Sequence, residues 1–267
     1  LDDLQKLRII LNDAGIADFG IAPMPLRLLA GSKKEPPTGS KTVIVCLFPY
    51  LVPMTDRNVA RFAVVADYHR VIGDIFETVI PAIKQTFGCE VTHYADNSPF
   101  DEVELAVEAG LGYRSMNSML MTERYGNYVF IGELVTDYGF TPSKKRVGGM
   151  SVCAGCRRCI AACPKRALSK DGVDKPNCLS YISQRKSEPS ESDAALLKQS
   201  GLIWGCDICT DVCPQNRFAE PSSIPGFTKD AIPVIEYDDI DLLLPGRVFS
   251  WRGSDVVKRN WKIVNEG

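Results

Sequence analysis

Cys153-Ala-Gly-Cys156-Arg-Arg-Cys159-Ile-Ala-Ala-Cys163-Pro164 is the stretch from which the rest of this chain is read. Three thiols recur at steps of three. A fourth follows one helical turn later, directly before a proline. That spacing suits iron–sulfur clusters: three thiolates wrap one face of a cuboidal cluster in a tight loop, and the fourth ligates a second cluster beside it. Pro164 stops the chain from folding back over the sulfurs. Downstream, Cys206-Asp-Ile-Cys209-Thr-Asp-Val-Cys213-Pro214 repeats the ending, with Gly205 where a further thiol would stand. Cys178 supplies the eighth thiolate. Crossed pairing then groups Cys153, Cys156, Cys159 and Cys213 around one 4Fe–4S cluster. Cys163, Cys178, Cys206 and Cys209 hold the other. Zinc is the competing reading of a lone Cys-x-x-Cys. Arg157 and Arg158 either offset cluster charge or form a solvated face.

The wider composition agrees with this chemistry. The chain has 267 residues, of which 45% are hydrophobic and 24% charged, the balance of a soluble globular protein with a sizeable core. No stretch approaches about 18 uninterrupted apolar residues, and no export signal opens the chain. Clustered cysteines in such a sequence read as metal ligands rather than disulfides, and we expect a reducing cytoplasm. A formal net charge of -2 and a sequence pI of 5.8 argue against a uniform nucleic-acid-binding surface. Of the ten cysteines, Cys46 lies in an apolar strand and Cys89 has no partner pattern. Neither is given a role.

Ahead of the cysteines the pattern alternates between helix and strand. Leu4, Leu7, Ile10 and Leu11 share a helical face that Gly15 ends. Ser32 to Lys41 reads as an exposed loop, and Thr42 to Phe48 as a buried strand closed by Pro49. Residues 59 to 87 carry apolar residues at helical spacing, with Pro81 expected to kink or divide the helix. Glu90 to Tyr94 reads as a strand. Ser98-Pro99 is expected to open a helix that Gly110 and Gly112 end. Arg124-Tyr-Gly-Asn127 is expected to turn an antiparallel hairpin between 118–121 and 128–136. Pro142 to Gly149 has linker composition. The expected division is 1–145, then a ferredoxin-like double-cluster domain at 146–225, then a tail at 226–267 packing on the body. The fold class is α/β (α+β). No Gly-x-Gly-x-x-Gly after a strand and no P-loop is present.

Several segments, in order and at similar spacing over roughly residues 1 to 220, resemble epoxyqueuosine reductases and their relatives among reductive dehalogenases. They are Ala66-Asp-Tyr-His69, Tyr94-Ala-Asp-Asn-Ser-Pro99, Ala109-Gly-Leu-Gly-Tyr113 with Asn117, and Phe130-Ile-Gly-Glu-Leu-Val-Thr-Asp137. The cysteine motifs and Cys178-Leu-Ser-Tyr181 complete the set. The resemblance implies a cobalamin in a nitroreductase-like domain, fed by the two clusters. By motif position it implies Asp96 as proton donor, with His69 beside it. The cofactor contacts it implies are Gly110, Leu111, Gly112, Tyr113, Asn117, Phe130 and Gly132. The chemistry is coherent: removing an epoxide oxygen takes two electrons and two protons, and a carboxyl with a raised pKa supplies a proton. The blander alternatives are an Asx turn for Asp96 and a helix-surface residue for His69.

The chain also departs from the family pattern. Val64-Val-Ala66 stands for Arg-Gly-Arg, and Gly112-Tyr-Arg-Ser-Met-Asn117 for Gly-Trp-x-Gly-Lys-Asn. Two arginines and a lysine are gone, and the expectation is a short form lacking the family's C-terminal helical-repeat domain. Both points weaken tRNA as the partner in favour of a small-molecule or modified-nucleoside substrate. An external electron donor such as a flavodoxin or ferredoxin is implied, with no membrane partner. The alternative from another class is an electron-transfer or corrinoid-activating protein with no substrate site of its own. Reductive dehalogenation is a third reading.

Overall fold

The computed structural model describes residues 1–25, 28–30, 32, 34–144 and 150–266. Most of the linker-like Pro142–Gly149 stretch, and with it the expected boundary at 145, lies outside the described residues.

Four strands form one antiparallel sheet. They are β1 (Phe19–Pro23), β2 (Thr42–Pro49), β3 (Val91–Ala95) and, after the short pair β4 (Tyr113–Arg114) and β5 (Leu120–Met121), β6 (Val129–Thr136). Their order is β1-β2-β6-β3. Every residue of β2 is buried. Ile44, Cys46 and Phe48 enter a core with Leu7, Leu11, Ile72 and Phe76, while Val43, Val45 and Leu47 enter a second core with Leu105, Ala106 and Ala109. A strand covered on both faces loses the apolar–polar alternation, which is why it reads as a continuous apolar run. The fold is therefore mixed α/β, with helices on both sides of the sheet.

Local chemistry sets the helix ends. Helix Asp3–Asp13 opens on a capping box between Asp2 and Gln5. The long helix Tyr68–Phe87 starts after Asp67, whose side chain accepts from the His69 N–H, and stops at left-handed Gly88. Pro81 does not divide it: the helix runs through Pro81, which faces solvent. Ser98 does not cap the next helix. Asp101 caps Glu102–Glu108, accepting from Glu104, and Ser98 instead donates to the buried Glu133. The expected hairpin is also absent. Both edges of β6 are taken, by β2 and β3, so β5 pairs with β4. Only a tight turn survives there, with a bridge from Thr122 to Gly126.

The cysteine segment is stitched to the first half. Ala60 N–H donates to the Trp204 carbonyl at 2.8 Å, and Ile203 N–H to the Asn58 carbonyl at 2.7 Å. Around fully buried Trp204 a third core gathers Val59, Ala63 and Val64 with Ile235, Ile240, Phe249 and Val257. The last forty residues thus pack on the body through apolar contacts. Among the described residues no helix is long and apolar enough to cross a membrane.

Candidate active site

Short helices separated by sharp turns carry the thiols. Cys153 and Cys156 belong to helix Met150–Cys156, Cys159 to helix Arg158–Ala162, and Cys163 ends that helix. Arg157 between them is left-handed, with φ 52°. Cys178 opens helix Leu179–Gln184, Cys209 lies in Ile208–Asp211, and Cys213 precedes Pro214. Cys163, Cys178, Cys206 and Cys209 line one cavity of about 510 Å³, walled otherwise by apolar groups including Leu168, Val173 and Leu179. Burial, then neighbouring thiolates, pushes Cys209 up to about 12; burial, offset in part by a backbone hydrogen bond, pushes Cys206 up to about 11. Cys206 senses Cys178 and Cys163. In the other set, Cys213 senses Cys153 and Cys156, and Cys159 senses Cys153 and Cys213. Cys209 also senses Cys159, which links the two sets. Thiols crowded this way favour a bound cation that removes their protons. Backbone N–H groups of Met116 and Ala167 donate to the sulfurs of Cys153 and Cys163, each at 3.2 Å.

The glycine at 205 now has a reason. Its φ is +79°, and a Cβ there would stand 2.4 Å from that of Ala60. No cysteine fits there, and Cys178 is the thiol that lines the cavity with Cys163, Cys206 and Cys209. Cys46 is fully buried in the sheet core, where burial raises its thiol pKa strongly, and Cys89 is buried too.

A second group gathers acids and one imidazole. His69 Nδ1 lies 2.7 Å from Asp67 Oδ1, and its Nε2 lies 3.5 Å from Asp96 Oδ2. Tyr68 donates its hydroxyl to the same Asp96 oxygen at 3.2 Å. The Tyr68 ring is held between His69 and Phe130, with ring centroids 4.0 and 4.2 Å away. Asp96 and Asn97 both take left-handed backbone, φ 64° and 53°, a strained pairing for residues with a Cβ. The carboxyl at Asp96 is not raised, as a donor would require. Its bond to His69 holds it at about 2, and hydrogen bonds to Asp67, then Asp96, raise His69 to about 9. The proton of this pair therefore sits on the imidazole at neutral pH.

Burial raises Asp207 beside the thiols, and in the acid group it raises two carboxyls that the sequence did not single out. Burial pushes Glu102 up to about 8, with Glu133 and Asp96 adding to the rise, and burial pushes Glu133 to about 7. Each leaves Oε1 buried without a hydrogen-bond partner. Glu102, Asp96, Asn97, Lys34 and Arg114 face a cavity of about 710 Å³. Arg114 is bonded there to Asp101 at 2.6 Å. Ser118, Val173 and Lys175 line both this cavity and the thiol cavity, so the two meet.

The seven residues named for cofactor contact do not converge. Asn117 lines the thiol cavity and donates to Asn127, and Phe130 backs Tyr68. Gly110 and Leu111 line a separate cavity with Asp18 and Arg124. Gly112 lies against the Met121 carbonyl and Tyr113 pairs with Met121. Gly132 is sealed between Phe48 and Phe76.

Comparison with known proteins bears on both groups. Residues 152–216, with all eight clustered cysteines, match the 4Fe-4S double cluster binding domain. An epoxyqueuosine reductase of Cyclobacterium marinum is 34% identical over 205 residues, 72% of this chain and 64% of that protein. The chain is epoxyqueuosine reductase-like. It spans less than two thirds of the length of that relative, and 51% of the Gloeobacter violaceus enzyme, also 34% identical over 61% of this chain. A crystal structure of an epoxyqueuosine reductase with an epoxyqueuosine-modified tRNA-Tyr stem loop shares the fold. Its TM-score is 0.81 at 20% identity, over 98% of this chain and 80% of that one.

Proposed function

We propose that the chain is an iron–sulfur oxidoreductase that passes electrons from two 4Fe–4S clusters to a bound cobalamin. It would thereby reduce epoxyqueuosine, or an unknown small molecule, held beside Asp96. The observation that carries this reading is the meeting of the two cavities at Ser118, Val173 and Lys175. Thiols stand at one end and proton-holding groups at the other. An electron carrier with no substrate site has no use for the second cavity.

We assign Cys153, Cys156, Cys159 and Cys213 to one cluster and Cys163, Cys178, Cys206 and Cys209 to the other. The groupings of mutually sensed thiols support the crossed pairing. For cobalamin, the two adjoining cavities of about 510 and 710 Å³, with largely apolar walls on the thiol side, offer room for a large group. Asn117 and Phe130 are the two named contacts that border that space or back its wall. No histidine lines either cavity, so the chain offers shape and hydrogen bonds rather than an imidazole ligand. Bound cobalamin would supply low-potential reduction of the substrate. Removal of an epoxide oxygen consumes two electrons and two protons, breaks both C–O bonds and releases water. Asp96, ionised at rest, passes on a proton held by His69, which Asp67 orients. Glu102 holds a second proton on the cavity wall.

Epoxyqueuosine within a tRNA is the substrate suggested by the crystallised relative. The loss of arginines at 64–66 leaves a modified nucleoside or small molecule as the other option. We also propose the division at 145 and 225, with the third core bridging all three parts, and a reducing cytoplasm for the clusters. Replacing Asp96 with Ala should abolish turnover, on the order of 100-fold or more, and leave cluster absorbance intact. Unchanged turnover would remove Asp96 from the mechanism. Titration with cobalamin should give a stoichiometric spectral change to a base-off form; without it, the electron-transfer or corrinoid-activating reading prevails.

A further inference from the structure

We propose that the face bearing Arg158 and Arg217 beside Cys213 is the docking surface for an acidic one-electron carrier protein. The inference rests on the cluster assignment above and deepens it. The two clusters are not equivalent in position. The thiols of the second set line the cavity that runs on to Asp96. The first set reaches the surface: Cys156 is exposed, and Cys213 lines a separate hollow of about 450 Å³ with Arg61, Arg158 and Arg217. That hollow shares no lining residue with either of the other two cavities. Electrons therefore enter at the first set and leave by the second.

The charge at the entry side is unbalanced. Asp211 is the single carboxylate on the hollow, and it is already shared by Arg61 at 3.1 Å and Arg57 at 2.8 Å. Arg158 and Arg217 make no ion pair among the described residues, and Arg157 is exposed next to Cys156. On a chain whose net charge is -2, a local cluster of free arginines is a directed field rather than a general property. Phe218, the residue after Arg217, is 83% exposed and offers an apolar anchor next to that arginine. An acidic partner with an exposed redox centre fits this combination: charge steers the encounter, and the aromatic ring holds the close approach that electron transfer requires. Each encounter would pass one electron, oxidising the carrier by one and reducing a bound cluster by one. Two encounters supply the pair that the substrate takes up. An RNA backbone would also be drawn to arginines, but the hollow is separate from the cavity at Asp96, where a nucleoside must react.

The test follows cluster bleaching in the reconstituted full chain, with reduced flavodoxin as the acidic probe and dithionite as the small reductant. In R158Q/R217E, flavodoxin-driven bleaching should slow on the order of tenfold or more, and the wild-type rate should fall steeply with ionic strength. Dithionite-driven bleaching and iron content should match wild type, which also shows that the variant folds. The control Lys229→Glu, away from the hollow, should leave both rates unchanged. An unchanged flavodoxin rate in R158Q/R217E overturns the docking face alone. Failure of dithionite to bleach wild type overturns the cluster assignment and the docking face with it. Loss of tRNA stem-loop binding in the variant, with flavodoxin-driven bleaching intact, makes the face an RNA site and overturns the proposal.

Discussion

The two joined cavities solve one physical problem in opposite ways. Each crowds groups that would repel if all were ionised. On the thiol side, walls are largely apolar and four sulfurs face one space; bound iron would relieve that crowding by taking the place of the thiol protons. On the acid side, Asp67 and Asp96 flank one imidazole, Glu102 lies near Asp96 and Glu133, and protons relieve the crowding instead. His69 keeps a proton to about 9 and Glu102 to about 8. On the proposed function, one cavity holds electrons through iron and the other holds protons. Their shared wall at Ser118, Val173 and Lys175 would then make the pair useful for reduction.

The largest break in this comparison comes from the thiol side. Cys209 lines the inner cavity and also senses Cys159 of the outer set. Cys209→Ala should remove the inner cluster, leave the outer one, and bring carrier-driven turnover below detection. Iron analysis and paramagnetic resonance of the reduced protein read the outcome. Retention of both clusters would mean that Cys209 is not a cluster ligand.

What could be read along the chain divides at the same line. Cysteine spacing is a local signal, because steps of three residues set where sulfurs point, and the double-cluster segment at 152–216 was legible from it. The buried β2 was legible as well, since both its faces are covered. The acid group was not. Asp67 caps one helix, Asp96 follows β3, Glu102 opens another helix and Glu133 sits inside β6, so tertiary packing alone assembles them. Glu102 reads as an ordinary first-turn acid at a helix dipole. Its burial against Glu133 is a long-range fact. Likewise the hairpin at 124–127 failed because β6 had two better partners, and Ser98 lost its capping role to a buried carboxylate that local pattern does not reveal.

A smaller effect is expected at Glu102, and it sharpens the proton side. Gln fills the same space and cannot release a proton. Glu102→Gln should slow turnover on the order of 10- to 100-fold near neutral pH, with both clusters retained. The alkaline fall in the rate, placed near pH 8 by the raised carboxyl, should flatten. Stability gives an independent reading. A carboxyl raised in the folded state holds a proton that the unfolded chain has lost, so wild type loses stability as pH climbs from about 4.3 toward 8. The Gln variant lacks that loss, and its margin over wild type should widen across the same window. A parallel shift of both curves would assign Glu102 to packing alone.

The smallest effect belongs to the His69 pair. Its folded pKa is raised to about 9 by Asp67 and then Asp96, against 6.5 for the free side chain. A raised basic group stabilises the fold in full below the unfolded value and loses that contribution as pH rises through the folded one. Asp96 works in the other direction. Held at about 2, it contributes above its ordinary value of 3.8 and loses this as pH falls toward 2. The pair thus stabilises most between about pH 4 and 6.5. His69 and Asp96 are both well exposed, with 40% and 56% of their side-chain surface open, so solvent screens much of the gain. His69→Gln should cut the dependence of the melting temperature on pH between 6.5 and 9 while changing the value near pH 9 little. If the wild-type and variant curves run parallel through that window, the imidazole does not hold the proton that reaches Asp96, and the proton side of the comparison rests on Glu102 alone.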